Sequence, residues 1–132
     1  MNHVNDAEMK LIKAFIRPGR TAEVLRALQH AGAPGISVSR AHGVGFGYDP
    51  QMFISSAAGE VSGAPDVARI EVVCHDDEVG SLIETIVRSG NTGSPGDGIV
   101  FVMPVERTVR IRTGEERLGR LHRIGSNQRR KP

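Results

Sequence analysis

Hydrophobic and polar positions follow two different periods along this chain, and the changes of period separate the predicted elements. Apolar residues at alternate positions or in short runs predict strands, and apolar residues three to four positions apart predict helices. Proline and glycine punctuate the segments between them. The predicted strands are 10–17, 36–44, 67–74, 99–105 and 107–112, and the predicted helices are 21–31, capped by Thr21, and 76–89.

Taken in chain order, the six elements from strand 10–17 to strand 99–105 follow the pattern β-α-β-β-α-β. This order predicts an α+β, ferredoxin-like sandwich, in which two helices cover one face of an antiparallel sheet. Strand 67–74 carries apolar residues on both of its faces. The second face of the sheet therefore needs a cover, and self-association is the simplest way to supply it.

A glycine-rich segment, residues 92–98, connects the second predicted helix to a buried strand. Glycine permits positive φ angles and a close approach of ligand to backbone, and successive N–H groups in such a turn form an anion-binding concavity. We therefore predict a phosphate-binding loop, with an ordinary helix-to-strand connection as the alternative. In the predicted strand 107–112, Arg110 and Arg112 share a face, and paired guanidiniums suit phosphate.

Charge divides the 132-residue chain into a folded part and a tail. Residues 117–132 hold six basic side chains and no acidic one, whereas residues 1–116 hold 11 basic and 15 acidic side chains. We expect a flexible N-terminal extension at 1–8, one domain at 9–116 and a basic tail at 117–132. Residues 115–124, which span the end of the domain and the start of the tail, have the pattern of a short helix. The acidic domain argues against a nucleic-acid partner.

The longest irregular segment, residues 46–65, lacks lysine and arginine and has an apolar centre, Met52–Phe53–Ile54. Loops of this length in compact domains are usually functional or disordered. We expect a surface that contacts a ligand or a protein partner; a poorly packed surface loop is the alternative.

Neither catalysis nor export is indicated by the sequence. There is one cysteine, Cys74, and the five histidines show no metal-ligand spacing, so we expect no catalytic residue and no metal. No signal pattern or long apolar run is present, which favours a cytoplasmic protein. Two other classes are alternatives: a ferredoxin-like enzyme acting on a nucleotide, and an RNA-binding module, for which the four scattered phenylalanines form no stacking platform.

Taken together, these motifs resemble the P-II nitrogen-regulatory signalling family over about residues 9–116. The resemblance is carried by the order of several segments, most specifically by Thr-Gly-x-x-Gly-Asp-Gly at 92–98 combined with Arg-Ile-Arg-Thr-Gly-Glu at 110–115. Membership implies a homotrimer with adenine-nucleotide sites in the clefts between subunits. It also implies a long T-loop, here about 46–65, that engages a membrane transporter or a metabolic enzyme.

The resemblance also assigns nucleotide-binding roles to particular positions. Adenine and ribose fall to Gly35, Ile36, Ser37, Glu71 and Val73. The base of the T-loop is formed by Gly43, Val44 and Gly45. Backbone groups of Gly96, Asp97 and Gly98 line the phosphates, and Arg110 and Arg112 reach them from the neighbouring subunit.

The chain departs from the family pattern at positions that contact the outer phosphates and at the tyrosine that is modified. Phe46 and Gly47 replace an arginine and a glutamine, Ser94 and Ile99 replace lysines, and the single tyrosine, Tyr48, lies too near the loop base for nucleotidylylation. The chain is thus similar to the divergent branch associated with carboxysomes and bicarbonate transport. We expect it to bind ADP, AMP or cyclic AMP. The alternative is a conventional regulator that senses ATP and 2-oxoglutarate.

Overall fold

A computed structural model of the chain describes residues 6–43, 66–117 and 120–122. The T-loop prediction, Val44, Gly45 and most of the predicted tail lie outside these ranges. Short 3-10 turns, Pro18–Arg20 and Asp76–Glu78, precede the two helices. The elements are β1 (Asp6–Ile16), α1 (Thr21–His30), β2 (Ile36–His42), β3 (Asp66–His75), α2 (Val79–Gly90), β4 (Gly98–Val105), β5 (Thr108–Val109), β6 (Glu116–Arg117) and β7 (Arg120–His122).

The main sheet has the strand order β2-β3-β1-β4, and each pair of adjacent strands in this order is antiparallel. Strand β1 lies in the middle, with Ile12 opposite Val72 on one side and Val102 on the other. Each helix connects two strands that are parallel to each other but not adjacent. This is the ferredoxin-like βαββαβ fold that the element order predicts.

The core lies between one face of the sheet and the two helices. Even-numbered residues of β1 and β3 point into it because strand side chains alternate between faces. Burial also raises the pKa of the Cys74 thiol to about 11, so this cysteine is protonated at neutral pH and packs as a small hydrophobic residue. The largest fully buried side chains are Ile12, Leu28, Ile70, Ile86, Val24, Val72 and Cys74.

The opposite face of the sheet, which we call the open face, has no helix against it in the described chain. Lys13 lies opposite Glu71 there, with Nζ and Oε2 3.5 Å apart. The rings of Phe15 and Phe101 meet edge to face with centroids 6.3 Å apart. Large apolar side chains remain exposed on it, among them Val73 at 40%, Ile99 at 38% and Phe101 at 41%.

Both ends of the domain differ from the sequence prediction. Strand β1 begins at Asp6, so residues 6–8 are part of a strand and not of a flexible extension. They pair antiparallel with β7, whose residues the sequence predicts to be helical. The predicted helix at 115–124 is therefore wrong: two short strands, β6 and β7, occupy its place.

Helix ends also differ in detail from the prediction. Thr21 is the first residue of α1 and not its cap, because the chain enters the helix through the 3-10 turn Pro18–Arg20. Gly32, just beyond α1, adopts φ 85°, as expected of a glycine that ends a helix. Gly90 is the last residue of α2, and Asn91 follows in extended conformation.

Candidate functional site

A cavity of about 760 Å³ opens where β1 ends beside the start of β4. The pairing of Ile16 with Gly98 brings the end of β1, the 3-10 turn and the glycine-rich loop together at this edge. Gly43 and Asp66, the last and first described residues on either side of the long undescribed segment, lie in the same wall. The lining residues are Phe15, Ile16, Arg17, Pro18, Gly19, Arg20, Gly43, Asp66, Val67, Ser94, Gly96, Asp97, Gly98 and Ile99.

The glycine-rich loop has the backbone that its sequence predicts. Gly93, Gly96 and Gly98 have φ angles of 84°, 94° and 124°, a region that other residues rarely adopt. At Gly98 a β-carbon would also lie 1.9 Å from the carbonyl oxygen of Phe15. Glycine at 98 therefore allows the loop to pass directly against β1.

Asp97 holds this loop in shape through its side chain. Its Oδ2 accepts hydrogen bonds from the backbone N–H groups of Thr92 and Gly93, at 2.7 and 3.0 Å. Its Oδ1 accepts from Arg17 Nε at 2.8 Å and from the Thr92 hydroxyl. The Arg17 guanidinium, followed by the Thr92 donors, lowers the pKa of the Asp97 carboxyl well below its usual range. Asp97 is thus ionised at neutral pH and organises the loop.

Two arginines, Arg17 and Arg20, line the cavity, and sequence reasoning missed both. Arg17 Nη2 also donates to the carbonyl oxygen of Pro95 at 2.7 Å. Arg20 donates through Nε and Nη2 to the carbonyl oxygen of Ser89, at 3.0 and 2.6 Å. The available signal is the run Arg17-Pro18-Gly19-Arg20 directly after a strand, which by pattern alone indicates the end of that strand and not part of a site.

The cavity combines a polar backbone loop with apolar walls. Phe15, Val67 and Ile99 supply apolar surface, while residues 96–98 of the glycine-rich loop also line the cavity. Ser94 and Ile99 contribute no charge. Such a site suits an anionic group bound by main-chain N–H groups and attached to a less polar body.

The residues assigned to adenine and ribose line a different pocket. Gly35, Ser37, Glu71 and Val73 surround a pocket of about 480 Å³ together with Leu11 and Pro34. Ile36 is not among them: its partly buried side chain packs against the hydrophobic core. Glu71 already pairs with Lys13. The two pockets share no lining residue, and Leu11 and Phe15 lie about 13 Å apart along β1.

Arg110 and Arg112 do not lie in the extended strand that the sequence predicts. Strand β5 ends at Val109, and residues 110–114 form the turn of a hairpin between β5 and β6. The Arg110 N–H donates to the Glu115 carbonyl oxygen at 2.8 Å, and the Gly114 N–H donates to that of Arg110 at 2.7 Å. Both arginine side chains are exposed, and neither lines the cavity of its own chain. The alternation argument therefore fails, although both guanidiniums are presented at a hairpin tip.

Metal-binding and membrane-spanning features are absent from the same described ranges. These ranges contain no group of three or more His, Cys, Asp or Glu side chains placed to hold a metal ion. No helix among them is long and apolar enough to cross a membrane.

The fold and the loop together define a small ferredoxin-like α+β domain with a glycine-rich loop at one edge of its sheet, and comparison with known proteins gives the family. The family model "Nitrogen regulatory protein P-II" matches residues 9–115. The chain is 44% identical over 107 residues to nitrogen regulatory protein P-II of Cereibacter sphaeroides, covering 81% of this chain and 95% of that protein. It is 40% identical over 108 residues to nitrogen regulatory protein P-II 1 of Escherichia coli K12, covering 82% and 96%.

A third relative, nitrogen regulatory protein P-II 2 of Methanothermobacter thermautotrophicus, is 40% identical over 110 residues, or 81% of this chain and 92% of the relative. The chain therefore belongs to the P-II nitrogen regulatory protein family. The paired strand segments at 6–8 and 120–122 lie beyond the matched range.

Proposed function

We propose that this protein is a P-II signalling protein that binds an adenine nucleotide with one or two phosphates, ADP, AMP or cyclic AMP, in preference to ATP. The binding sites lie in the clefts of a homotrimer, and the nucleotide state is passed to a protein partner through the T-loop, 46–65. The observation that supports this proposal most directly is the glycine loop beside the 760 Å³ cavity. The backbone of this loop, with glycines at positive φ, suits a phosphate group, and the chain belongs to a family of nitrogen regulatory proteins.

The preference for fewer phosphates rests on the positive charges available in the cavity. Arg17 is already bonded to Asp97 and Pro95, and Arg20 to Ser89. Ser94 and Ile99 offer no cation to an additional phosphate. A γ-phosphate entering the cavity would lose water without gaining a charge-assisted partner from Ser94 or Ile99, and each such hydrogen bond contributes about 1.5–3 kcal/mol.

A second copy of the chain completes the site in this proposal. The pocket at Gly35, Ser37, Glu71 and Val73 is separate from the phosphate cavity, and the Arg110 hairpin does not reach the cavity of its own chain. The open face carries exposed Val73, Ile99 and Phe101, which suits burial against another copy. A nucleotide between two copies would contact the loop of one and the hairpin of the other.

A second candidate is a conventional nitrogen regulator that senses ATP and 2-oxoglutarate. The observation in its favour is the identity of 44% and 40% with two proteins named nitrogen regulatory protein P-II. In either case the regulated partner is a membrane transporter or a metabolic enzyme, in nitrogen or in inorganic-carbon metabolism.

Titration calorimetry of the full chain against ATP, ADP, AMP and cyclic AMP tests the proposal. We expect ADP, AMP or cyclic AMP to bind at least as tightly as ATP, because the cavity has few spare cations. Repeating the titrations with magnesium and 2-oxoglutarate, and separately with bicarbonate, tests for a second effector.

An ATP affinity about tenfold higher than that for the other nucleotides, which is about 1.4 kcal/mol, would favour the conventional regulator instead. Chromatography of the nucleotide after incubation provides the control for catalysis. A signalling protein returns the ligand unchanged, whereas steady conversion would indicate an enzyme.

A further inference from the structure

Arg17 joins the glycine-rich loop to the end of β1. The guanidinium lies directly after the last residue of that strand and spans two points of the loop. Nε donates to Asp97 Oδ1 at 2.8 Å and Nη2 donates to the Pro95 carbonyl oxygen at 2.7 Å. Residue 96, between these two acceptors, is a glycine with φ 94°. One side chain therefore holds a backbone carbonyl on one side of Gly96 and a side-chain carboxylate on the other.

The bond to Asp97 extends this control across the whole loop. Asp97 also accepts hydrogen bonds from Thr92 and Gly93. Holding Asp97 in place thus fixes the beginning of the loop as well as its end. The side chains of Arg17 and Asp97 are 36% and 24% exposed, so the pair is partly shielded from water and its geometry is better defined than that of a solvated surface ion pair.

We propose that Arg17 is a positioning residue for the phosphates: it holds the backbone of 92–98 in the shape that binds them, and it acts through Asp97 and Pro95. This inference rests on the proposed function, since it concerns the same site. Its charge is offset by Asp97 at 2.8 Å, so the contribution comes from the geometry of the loop and not from net charge. Loss of Arg17 should then weaken the binding of phosphates and leave that of the nucleoside unchanged.

The test compares variants of the full chain by calorimetry with adenosine, AMP and ADP. We expect Arg17→Gln to lower ADP and AMP affinity by about tenfold and adenosine affinity by less than about twofold. Arg17→Lys keeps the charge, but a single ammonium lacks the planar fork that reaches both acceptors, so we expect partial recovery. Arg26→Gln is the control for charge, because Arg26 lies on the exposed face of α1 and pairs with Glu23; it should match the unaltered protein.

Two further measurements separate positioning from general stability. Amide hydrogen exchange of the ligand-free protein should become faster at residues 92–98 in Arg17→Gln, at a nearly unchanged melting temperature. The double variant Arg17→Gln with Asp97→Asn should bind ADP almost as tightly as whichever single variant has the lower ADP affinity, because both substitutions break the same contact.

Distinct outcomes identify which idea fails. If the unaltered protein binds none of the nucleotides, the proposed function is wrong, and the exchange measurement alone then decides whether Arg17 fixes the loop. If nucleotides bind but Arg17→Gln keeps full ADP affinity, or loses adenosine affinity equally, the positioning role is overturned. Full recovery by Arg17→Lys would also overturn it, because charge alone would then be sufficient.

Discussion

At the scale of single residues, Gly98 meets a steric requirement that a side chain cannot satisfy. A β-carbon there would lie 1.9 Å from the Phe15 carbonyl oxygen, and the φ of 124° is itself unfavourable for other residues. The clash is with the backbone of Phe15, near the end of β1, where the strand is paired with β3 on one side and β4 on the other, so relieving it would disturb the end of the β1–β4 ladder. The packing of the loop against β1 therefore requires glycine at position 98, whether or not a ligand binds there.

We therefore expect Gly98→Ala to lower the free energy of unfolding by about 2–4 kcal/mol, measured by urea denaturation. Gly80→Ala is the matched control. Gly80 lies in α2, has no positive φ, and a β-carbon added to it would meet nothing within 4 Å. Alanine there should stabilise the protein by about 0.5–1 kcal/mol, because it favours the helix. Equal stability of the two variants would contradict the geometry of the loop.

The residue scale also shows what a sequence can tell about a site. The glycines of 92–98 predict a backbone with positive φ angles, because few other residues tolerate that conformation. The role of Asp97 does not follow from the motif: its side chain bonds inside the loop and to Arg17, which is 80 positions away in the chain. That contact depends on β4 lying beside β1, and no local pattern contains this information.

At the scale of elements, long periodic segments are predictable from the sequence and short ones are not. Strands β1 and β3 and both helices carry apolar residues with a clear period, because each buries one face in the core. The segments after Val105 have no such core to face. Their strands are two or three residues long and depend on distant partners, such as Asp6–Glu8 for β7. The apolar spacing of Leu118 and Leu121 therefore suggests a helix that tertiary pairing overrides.

Truncation tests the pairing of β7. Deleting residues 118–132 should leave the domain folded, because Met9–Ile16 are held by β3 and β4 on both sides. Amide exchange at residues 6–8 should become faster, and the free energy of unfolding should fall by no more than about 1–2 kcal/mol. Deleting 124–132 alone keeps β7 and is the control. If the two truncations give identical exchange at 6–8, the strand does not form in solution.

At the scale of the whole molecule, a single copy of the chain has two features that a neighbouring copy would complete. The sheet has helices on one face and exposed Val73, Ile99 and Phe101 on the other, and the two pockets assigned to one nucleotide are separate. Apolar faces of this kind are usually covered by another chain. A homotrimer, which is consistent with the family, would solve both problems at once by burying the open face and placing the hairpin of one copy near the cavity of the next.

A single substitution on the open face can therefore test assembly and binding together. Phe101 packs edge to face against Phe15 on this face and is 41% exposed in one copy. If the open face is the interface between copies, Phe101→Glu places a charge in it, so we expect sedimentation velocity to show monomers. Val87→Glu is the control, because it adds the same charge at a 52% exposed valine on α2 and should leave the assembly intact. If the site needs two copies, the monomeric variant should lose ADP affinity by about a hundredfold or more. A monomer that still binds ADP at full strength would place the whole site within one chain and refute the role of the neighbouring Arg110 hairpin.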